Sequence, residues 1–544
     1  MPSDVLTVSA VADAVAEEAR PEVRTEASKA LDVQVRMLLF IGLALAVFVR
    51  LALILSSNFP LNDGGMFDVM IKNLQHSHYS LPHFTTYNGM QIPYAYPPLA
   101  FYVSAFLADV THSSPIEMLR LLPLLLNLAA IGAFALLARS ILRSRDAVAI
   151  AVVAFSFLPH SVIWQVMGGG LTRGFGFLFA LLALQQGYEL FVRRMFWRVA
   201  PTATFAALTV LSHPKMAWFL AYSLALFVLW YRRNRRGLLS GLIVVVATAG
   251  LTAPWWLSVV TYHGVGPFLA SARTGSEPWG QLLGDVLRVN ITGEPFFPLI
   301  GLIAVVGIIW SIRSRQWFLV IWLAIMIPLD SREYLTDMLV PLSLLAGVGF
   351  VEVLMPWIDR LERKRASGWV AWLRPLGVIC VLGYLTLALI VTTSTLDRSL
   401  SIQERDAMTW VTQNTPDSSH FLVITDEPWY TDQSGEWFPD LTGRVSVNTV
   451  QGSEWLSNKP FAEHVTQYND VRACADQPAS CLDTWSHQTG TTFDYVYVSK
   501  STPTGATRNS VDSAHHLALE YSLRDDPAYT LVFDNQGAAI FKRN

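Results

Sequence analysis

Asp63 is the residue of this chain best placed to do chemistry. It lies in the sequence Asn62-Asp63-Gly64-Gly65, just beyond the first long apolar run, at residues 37–57. A carboxylate in that position can act as a general base toward a hydroxyl group, and the glycines allow close approach of backbone and substrate. The same residues suit a turn in which Asp63 caps the following helix. We take catalysis as the working hypothesis, with Asp68, one helical turn further on, as the second candidate.

Five basic side chains are candidates for binding an anion near the same membrane surface. Arg173 follows the glycine-rich stretch 168–170, where N–H groups at a helix N-terminus could also contact an anion. The others lie in outer turns or inside the first apolar run: His213, Lys215, Arg273 and Arg50. Each has a plainer interpretation, because arginines near helix ends extend to lipid headgroups and clustered glycines allow close helix packing. We expect some of the five to share an anion site.

Further residues are candidates for contacts with a substrate. Tyr96 lies in an aromatic-rich segment, and Glu277 is a second carboxylate in the outer loop 261–294. In the C-terminal part the candidates are Trp437, Arg444 and Glu454. Tryptophans stack on sugar rings, but in a small domain they are more often core, and we expect the core role for two of Trp429, Trp437 and Trp455. No spacing specifies a metal ion, so a divalent metal stays open and no other cofactor is indicated.

The composition identifies the class of protein that must position these residues. Hydrophobic residues make up 52% of the chain and charged residues 15%, against about 25% charged in soluble domains. A hydrocarbon core of about 30 Å requires roughly 20 apolar residues per helix. We predict a polytopic α-helical membrane protein with about eleven spans: 37–57, 118–142, 147–166, 174–192, 198–212, 214–231, 238–260, 295–312, 316–329, 336–356 and 372–394.

The basic residues between these spans predict the topology. With a cytoplasmic N-terminus, every inner connection contains arginines, as the positive-inside rule requires: 143–145, 193–194, 232–236, 313–315 and 363–365. An odd number of spans then places the C-terminus outside the cytoplasm. The predicted parts are a cytoplasmic tail 1–36, a membrane domain 37–397 whose outer loop 58–117 carries interfacial helices, and an extracytoplasmic α/β domain 398–544. No basic patch indicates nucleic-acid binding.

The C-terminal part reads as a compact α/β unit. Ser401 and Glu404 form a capping-box pattern, and strand-like runs follow at 421–425, 495–499, 529–533 and 538–542. Cys474 and Cys481 lie close together in the predicted oxidising compartment. They favour a local disulfide over a zinc site, because no second Cys or His pair stands at ligand spacing.

Short motifs in the outer loop resemble those of a known superfamily. Pro97-Pro98-Leu99, followed by Arg120-Leu121, is similar to a segment of protein O-mannosyltransferases and lipid A aminoarabinose transferases. These are GT-C integral membrane glycosyltransferases, which hold a catalytic acid and interfacial helices in the first outer loop. The Trp-Trp-Asp signature of oligosaccharyltransferases is absent, since Leu257 follows Trp255-Trp256, which argues against N-glycosylation of protein.

The resemblance implies an inverting transfer of a sugar from a polyprenyl-phosphate carrier to a glycan, lipid or protein acceptor. Asp63 would remove the acceptor proton while the anomeric carbon gains oxocarbenium character. Two alternatives stay open: a lipid or glycan transporter or flippase, and a noncatalytic envelope-assembly protein. Few ionisable residues lie deep in the spans and no internal repeat is visible, which favours the transferase over the transporter.

Overall fold

The computed structural model describes residues 26–274, 292–330, 334–364, 370–395, 398–457, 459–500 and 517–544. Most of the predicted cytoplasmic tail, and Glu277, lie outside these ranges. The helices within them, numbered α1 to α20, are Glu26–Ser56, Gly65–His76, Leu99–Thr111, Pro115–Ile141, Arg145–Phe157, Gly170–Phe191, Val199–Val210, Pro214–Tyr231, Arg235–His263, Gly266–Ala272, Leu299–Arg313, Phe318–Leu329, Tyr334–Gly349, Met355–Lys364, Val370–Ser394, Ile402–Asn414, Gln433–Thr442, Phe461–Arg472, Ser480–Thr489 and Ala518–Asp525.

A helix occupies each of the eleven segments that the sequence analysis assigns to spans. Within the described residues, six helices are long and apolar enough to cross a membrane: Arg36–Ser56, Pro115–Ile141, Pro214–Tyr231, Arg235–His263, Tyr334–Arg360 and Leu376–Ser394. The pair α11 and α12 would add a seventh, although these helices meet at a bend of 119°. The other helices are shorter or more polar, so length and apolarity alone do not reach the expected number of about eleven.

Helix α5 departs most from its predicted bounds. It ends at Phe157 rather than near residue 166. Leu158 has φ −64° and ψ 132°, an extended conformation of the kind that a following proline favours, and Pro159 is next in the chain. The chain therefore leaves the helix early and forms a short turn before the glycine-rich stretch at 168–170.

The membrane helices pack around one apolar core. The rings of Phe134 in α4 and Phe155 in α5 stack with centroids 4.2 Å apart, and Phe177 in α6 lies 6.1 Å from Phe155. All three side chains are buried. This packing fixes α6 against its neighbours and so positions its N-terminus.

The outer loop between α1 and α4 is folded rather than extended. It contains α2, a two-stranded hairpin of β1, Phe84–Thr85, and β2, Ile92–Pro93, and then α3. Helix α3 begins directly after Pro98, inside the loop where the sequence predicts interfacial helices. Its exposed apolar side chains, among them Phe106 and Val110, suit a position at the membrane interface.

The C-terminal region, residues 398–544, contains a five-stranded mixed sheet. Its strands are β3, His420–Ile424, β4, Val445–Ser446, β5, Tyr495–Ser499, β6, Tyr529–Asp534, and β7, Ala538–Arg543, in the order β4-β3-β5-β7-β6. Strands β4, β3 and β5 are parallel, while β7 is antiparallel to both β5 and β6. The capping box predicted at Ser401 and Glu404 is present at the start of α16. The sequence analysis identifies every strand but the short β4.

Helix α17, which we call the docking helix, lies between this sheet and the outer loop. Phe438 contacts the rings of Phe421 and Tyr497 on the sheet at 4.9 and 5.4 Å. The neighbouring Trp437 packs edge-on against Phe59 of the outer loop at 4.6 Å. One apolar core therefore joins the sheet to the outer loop, and the C-terminal region is built against the segment that carries Asp63.

Candidate active site

The loop that carries Asp63, residues 61–65, is held in place by backbone hydrogen bonds from distant parts of the chain. The amide of Asn62 donates to the carbonyl of Arg398, at the start of the C-terminal region, over 2.9 Å. The amide of Gly168 donates to the carbonyl of Leu61, also over 2.9 Å. This Asp63 loop therefore lies between the N-terminus of α6 and the C-terminal region.

The carboxylate of Asp63 lies at the N-terminus of α6. Its Oδ1 accepts a hydrogen bond of 2.8 Å from the amide of Gly169, the N-cap residue of that helix. A Cβ atom at position 169 would lie 2.1 Å from Asp63 Oδ2, so glycine is required for the carboxylate to fit. Asp63 does not cap the helix that follows it, because Gly64 holds that position without a side-chain hydrogen bond. The cap interpretation is therefore wrong for α2, and the glycine-rich stretch binds an anion supplied by the chain itself.

Burial and neighbouring charges act in opposite directions on Asp63. Burial raises the pKa of its carboxyl group above the ordinary value, while the Gly169 N–H and the positive charge of Arg173 offset part of that rise. Arg173 lies in the first turn of α6, with its guanidinium 5.9 Å from the ring centroid of Trp164. The result is a carboxylate more basic than a free aspartate and still stabilised in its ionised form, which suits a general base.

The docking helix contacts the other side of the Asp63 loop. Glu436 Oε1 accepts a hydrogen bond of 2.9 Å from the amide of Gly64, and Trp437 Nε1 donates to the carbonyl of Asn62 over 2.9 Å. Gly64 has φ 134°, and a Cβ atom there would lie 3.1 Å from the Trp437 ring. Burial, and then the negative charge of Asp63, raise the pKa of Glu436 well above its ordinary value. Sequence reasoning did not single out Glu436, whose only signal is its place beside Trp437.

Tyr96 lies beside this cluster. Its hydroxyl is 3.2 Å from Thr172 Oγ1, one residue before Arg173. Its ring lies 5.3 Å from that of Trp455 and 6.5 Å from that of His213. The nearby Glu454 also acts on the docking helix, since its charge contributes to the raised pKa of Glu436. The structure thus places five of the predicted site residues in one neighbourhood: Asp63, Tyr96, Arg173, His213 and Glu454.

Asp68 has a different environment from Asp63. It is fully buried and pairs with Lys72, which also contacts Asp440 of the docking helix at 2.8 Å. Burial raises the pKa of Asp68, and the positive charge of Lys72 opposes that rise. Asp68 therefore ties α2 to the docking helix through Lys72.

Arg50 is used inside the membrane bundle. Its guanidinium is fully buried and donates to Asn127 Oδ1 at 2.7 Å, Ser161 Oγ at 2.8 Å, the Ser156 carbonyl at 2.8 Å and the Ala46 carbonyl at 3.0 Å. These bonds join α1, α4 and α5 with the turn that follows α5. All three nitrogens are engaged there, among the helices of the bundle.

Two C-terminal candidates are structural as well. Trp437 is fully buried, so its indole has no face available for a sugar. Trp455 is also buried and Trp429 is half-buried, in keeping with the expectation of two core tryptophans among the three. Arg444 is buried, donates to the carbonyls of Thr412, Thr415 and Thr442, and pairs with Asp417 at 2.8 Å. Its guanidinium is therefore engaged at the C-terminal end of α16.

The other basic candidates have contacts of their own or lie at an exposed helix end. His213 is the N-cap of α8, where its Nδ1 accepts from the amide of Met216 at 3.4 Å. Lys215, two residues on, pairs with the buried Asp330 at 3.2 Å. Arg273 is exposed at the end of α10.

Cys474 and Cys481 form a disulfide with Cα atoms 5.7 Å apart. Within the described ranges, no group of three or more His, Cys, Asp or Glu is arranged to hold a metal ion.

Comparisons with known proteins give matches in structure alone. No protein-family description matches the sequence, and no curated protein matches it. The Archaeoglobus fulgidus oligosaccharyltransferase in its apo form superposes with a TM-score of 0.52 at 13% identity, covering 93% of this chain and 74% of that one. The mycobacterial arabinofuranosyltransferase AftD gives 0.55 at 16% identity, covering 94% of this chain and 40% of AftD.

A third match covers nearly the whole of both proteins. ArnT from Cupriavidus metallidurans, bound to undecaprenyl phosphate, superposes with a TM-score of 0.54 at 14% identity, covering 92% of this chain and 97% of ArnT. Identities this low show the fold alone. All three proteins are GT-C glycosyltransferases. The chain therefore has a GT-C-like fold.

Proposed function

We propose that this chain is an inverting glycosyltransferase that moves a sugar from a polyprenyl-phosphate carrier to an acceptor hydroxyl at the outer membrane surface. The observation that carries the proposal is the Asp63 carboxylate, held at the N-terminus of α6 beside Arg173. A base and cationic groups thus lie together, and the transfer of a sugar from a phosphate needs both.

Asp63 is the general base in this proposal. As the acceptor oxygen attacks the anomeric carbon, its proton passes to Asp63, and the bond from that carbon to the phosphate oxygen breaks. Polyprenyl phosphate leaves with the bonding electrons. Attack opposite the leaving group inverts the anomeric centre, and no covalent sugar–enzyme intermediate forms.

The developing charge on the phosphate requires positive charge nearby. The N-terminus of α6 contributes about +0.5 elementary charge and Arg173 one full charge, so the ionised Asp63 leaves the region with a small positive balance. The His213 ring lies 6.5 Å from that of Tyr96. We assign the carrier phosphate to the space between Arg173 and Tyr96, with the acceptor on the Asp63 side.

The same proposal includes the membrane arrangement. Arginines in each inner loop support about eleven spans, with the docking helix and the sheet outside the cytoplasm and the chain in the cytoplasmic membrane. The ArnT structure contains undecaprenyl phosphate, which supports a carrier of that chemistry here. The archaeal oligosaccharyltransferase also has a structure with zinc and sulfate. Transfer with and without EDTA tests whether a divalent metal is required.

Proteoliposomes that contain the purified chain provide the test. Binding of undecaprenyl phosphate is measured first, because that carrier is shared by donors with different sugars. Donors bearing mannose, arabinofuranose or aminoarabinose are then offered with membrane glycolipid extracts as acceptors, and release of free polyprenyl phosphate is followed. Release by the wild type and not by Asp63→Asn supports the proposal. Movement of carrier across the bilayer without release would identify a flippase, and neither binding nor release would favour a noncatalytic protein.

A further inference from the structure

We propose that Glu436, in the C-terminal region, is a positioning residue for Asp63. This inference rests on the proposed function, because it takes Asp63 as the base. The carboxyl group of Glu436 accepts the Gly64 N–H at 2.9 Å, and Gly64 is the residue directly after Asp63. The contact joins residues 372 positions apart in the chain, so the C-terminal region completes the site.

Other contacts of the docking helix converge on the same loop. Its Trp437 indole donates to the Asn62 carbonyl, so residues on both sides of Asp63 are fixed by neighbouring positions of one helix. The backbone carbonyl of Glu436 in turn accepts the hydroxyl of Tyr87 at 2.7 Å, which holds Glu436 itself against the outer loop. A Cβ atom at position 65 would lie 2.7 Å from that carbonyl, so the two segments are in close contact.

The carboxyl group of Glu436 does more than fill space. It is buried, and Asp63, Glu454 and Asp432 all contribute negative charge that raises its pKa. Its Oε1 accepts the Gly64 N–H, so the contact requires a hydrogen-bond acceptor at position 436. Glutamine has the same shape and the same acceptor and carries no charge. Alanine removes the acceptor and leaves the buried N–H of Gly64 without this hydrogen bond.

The experiment compares Glu436→Gln and Glu436→Ala in the full-length chain. Hydrogen–deuterium exchange of the peptide spanning residues 59–67 reports the order of the Asp63 loop without any need for a substrate. We expect faster exchange in Glu436→Ala and wild-type exchange in Glu436→Gln. In transfer assays, Glu436→Ala should lower kcat by up to about 100-fold, the loss associated with a misplacement of about 1 Å, while KM for the donor changes less than threefold. Glu436→Gln should restore kcat.

A matched control and a double variant separate positioning from general stability. Asp440→Asn alters the same helix one turn further on, where Asp440 contacts Lys72. It should lower the melting temperature and leave kcat nearly unchanged. In an Asp63→Asn background, Glu436→Ala should have little further effect on the residual rate, because there is no base left to position. An equal loss in both backgrounds, or unchanged exchange of the loop in Glu436→Ala, would overturn the inference. Faster exchange in a protein that transfers no sugar would instead retain the inference and refute the proposed function.

Discussion

Asp63→Asn is the substitution that tests the site most directly. Asparagine keeps an oxygen that can accept the Gly169 N–H, so the loop should stay in place. What is lost is the negative charge, together with its attraction to Arg173, and replacing a charged hydrogen bond by a neutral one costs about 1 kcal/mol. Asparagine also avoids the desolvation of a buried charge, the effect that raises the pKa of Asp63, and this offsets part of that cost. We therefore expect a folded, membrane-inserted protein with a nearly unchanged melting temperature.

The effect on turnover should be much larger. Removing a general base lowers the rate by roughly 10²–10⁴-fold, which corresponds to about 3–5 kcal/mol in the activation free energy. The assay is release of polyprenyl phosphate in proteoliposomes at saturating donor, with binding of undecaprenyl phosphate measured in parallel. Asp68→Asn is the matched control, since the same change five residues away removes a carboxylate paired with Lys72. Near-normal turnover by Asp63→Asn, or an equal loss in Asp68→Asn, would refute the assignment of Asp63 as the base.

Three further predictions concern the surroundings of Asp63 and the topology. Gly169→Ala should displace the carboxylate, because the added Cβ would lie 2.1 Å from Oδ2, and should lower kcat; Gly132→Ala, which meets nothing within 4 Å, is its control. Arg173→Ala should weaken binding of undecaprenyl phosphate by roughly 10–100-fold. It should also move the acid limb of the kcat–pH profile to higher pH, because the charge of Arg173 lowers the pKa of Asp63. An unchanged acid limb would show that Arg173 does not act on the pKa of the base. In a Cys380→Ser background, an impermeant thiol reagent added outside should modify Gln413→Cys and spare Ser314→Cys, both exposed positions, and the reverse pattern would invert the topology.

Local patterns in the sequence were sufficient to predict most of the elements. Apolar runs placed a helix in all eleven expected segments. The early end of α5 could have been predicted as well, because Pro159 lies inside the predicted span 147–166. These features depend on neighbouring residues, whose effects are visible along the chain.

The contacts of individual charged residues depend on partners far away in the chain, which local sequence patterns do not specify. An arginine at this depth in the first span can either bind a phosphate or join helices, and the sequence around Arg50 is the same in both cases. Only the positions of Asn127 and Ser161 in the fold show that its guanidinium joins helices. Glu436 acquires its role from Gly64, and Asp68 from Lys72 together with Asp440. A single sequence specifies such contacts only through the complete fold.

The charges around Asp63 suit the proposed reaction throughout its course. The donor is a phosphodiester with one negative charge, and the departing monophosphate gains a second. In the same step Asp63 accepts a proton and loses its own negative charge, so the N-terminus of α6 and Arg173 become available to the phosphate as its charge grows. The positive charge at the site therefore stabilises the transition state more than the bound donor, the condition under which it accelerates the reaction.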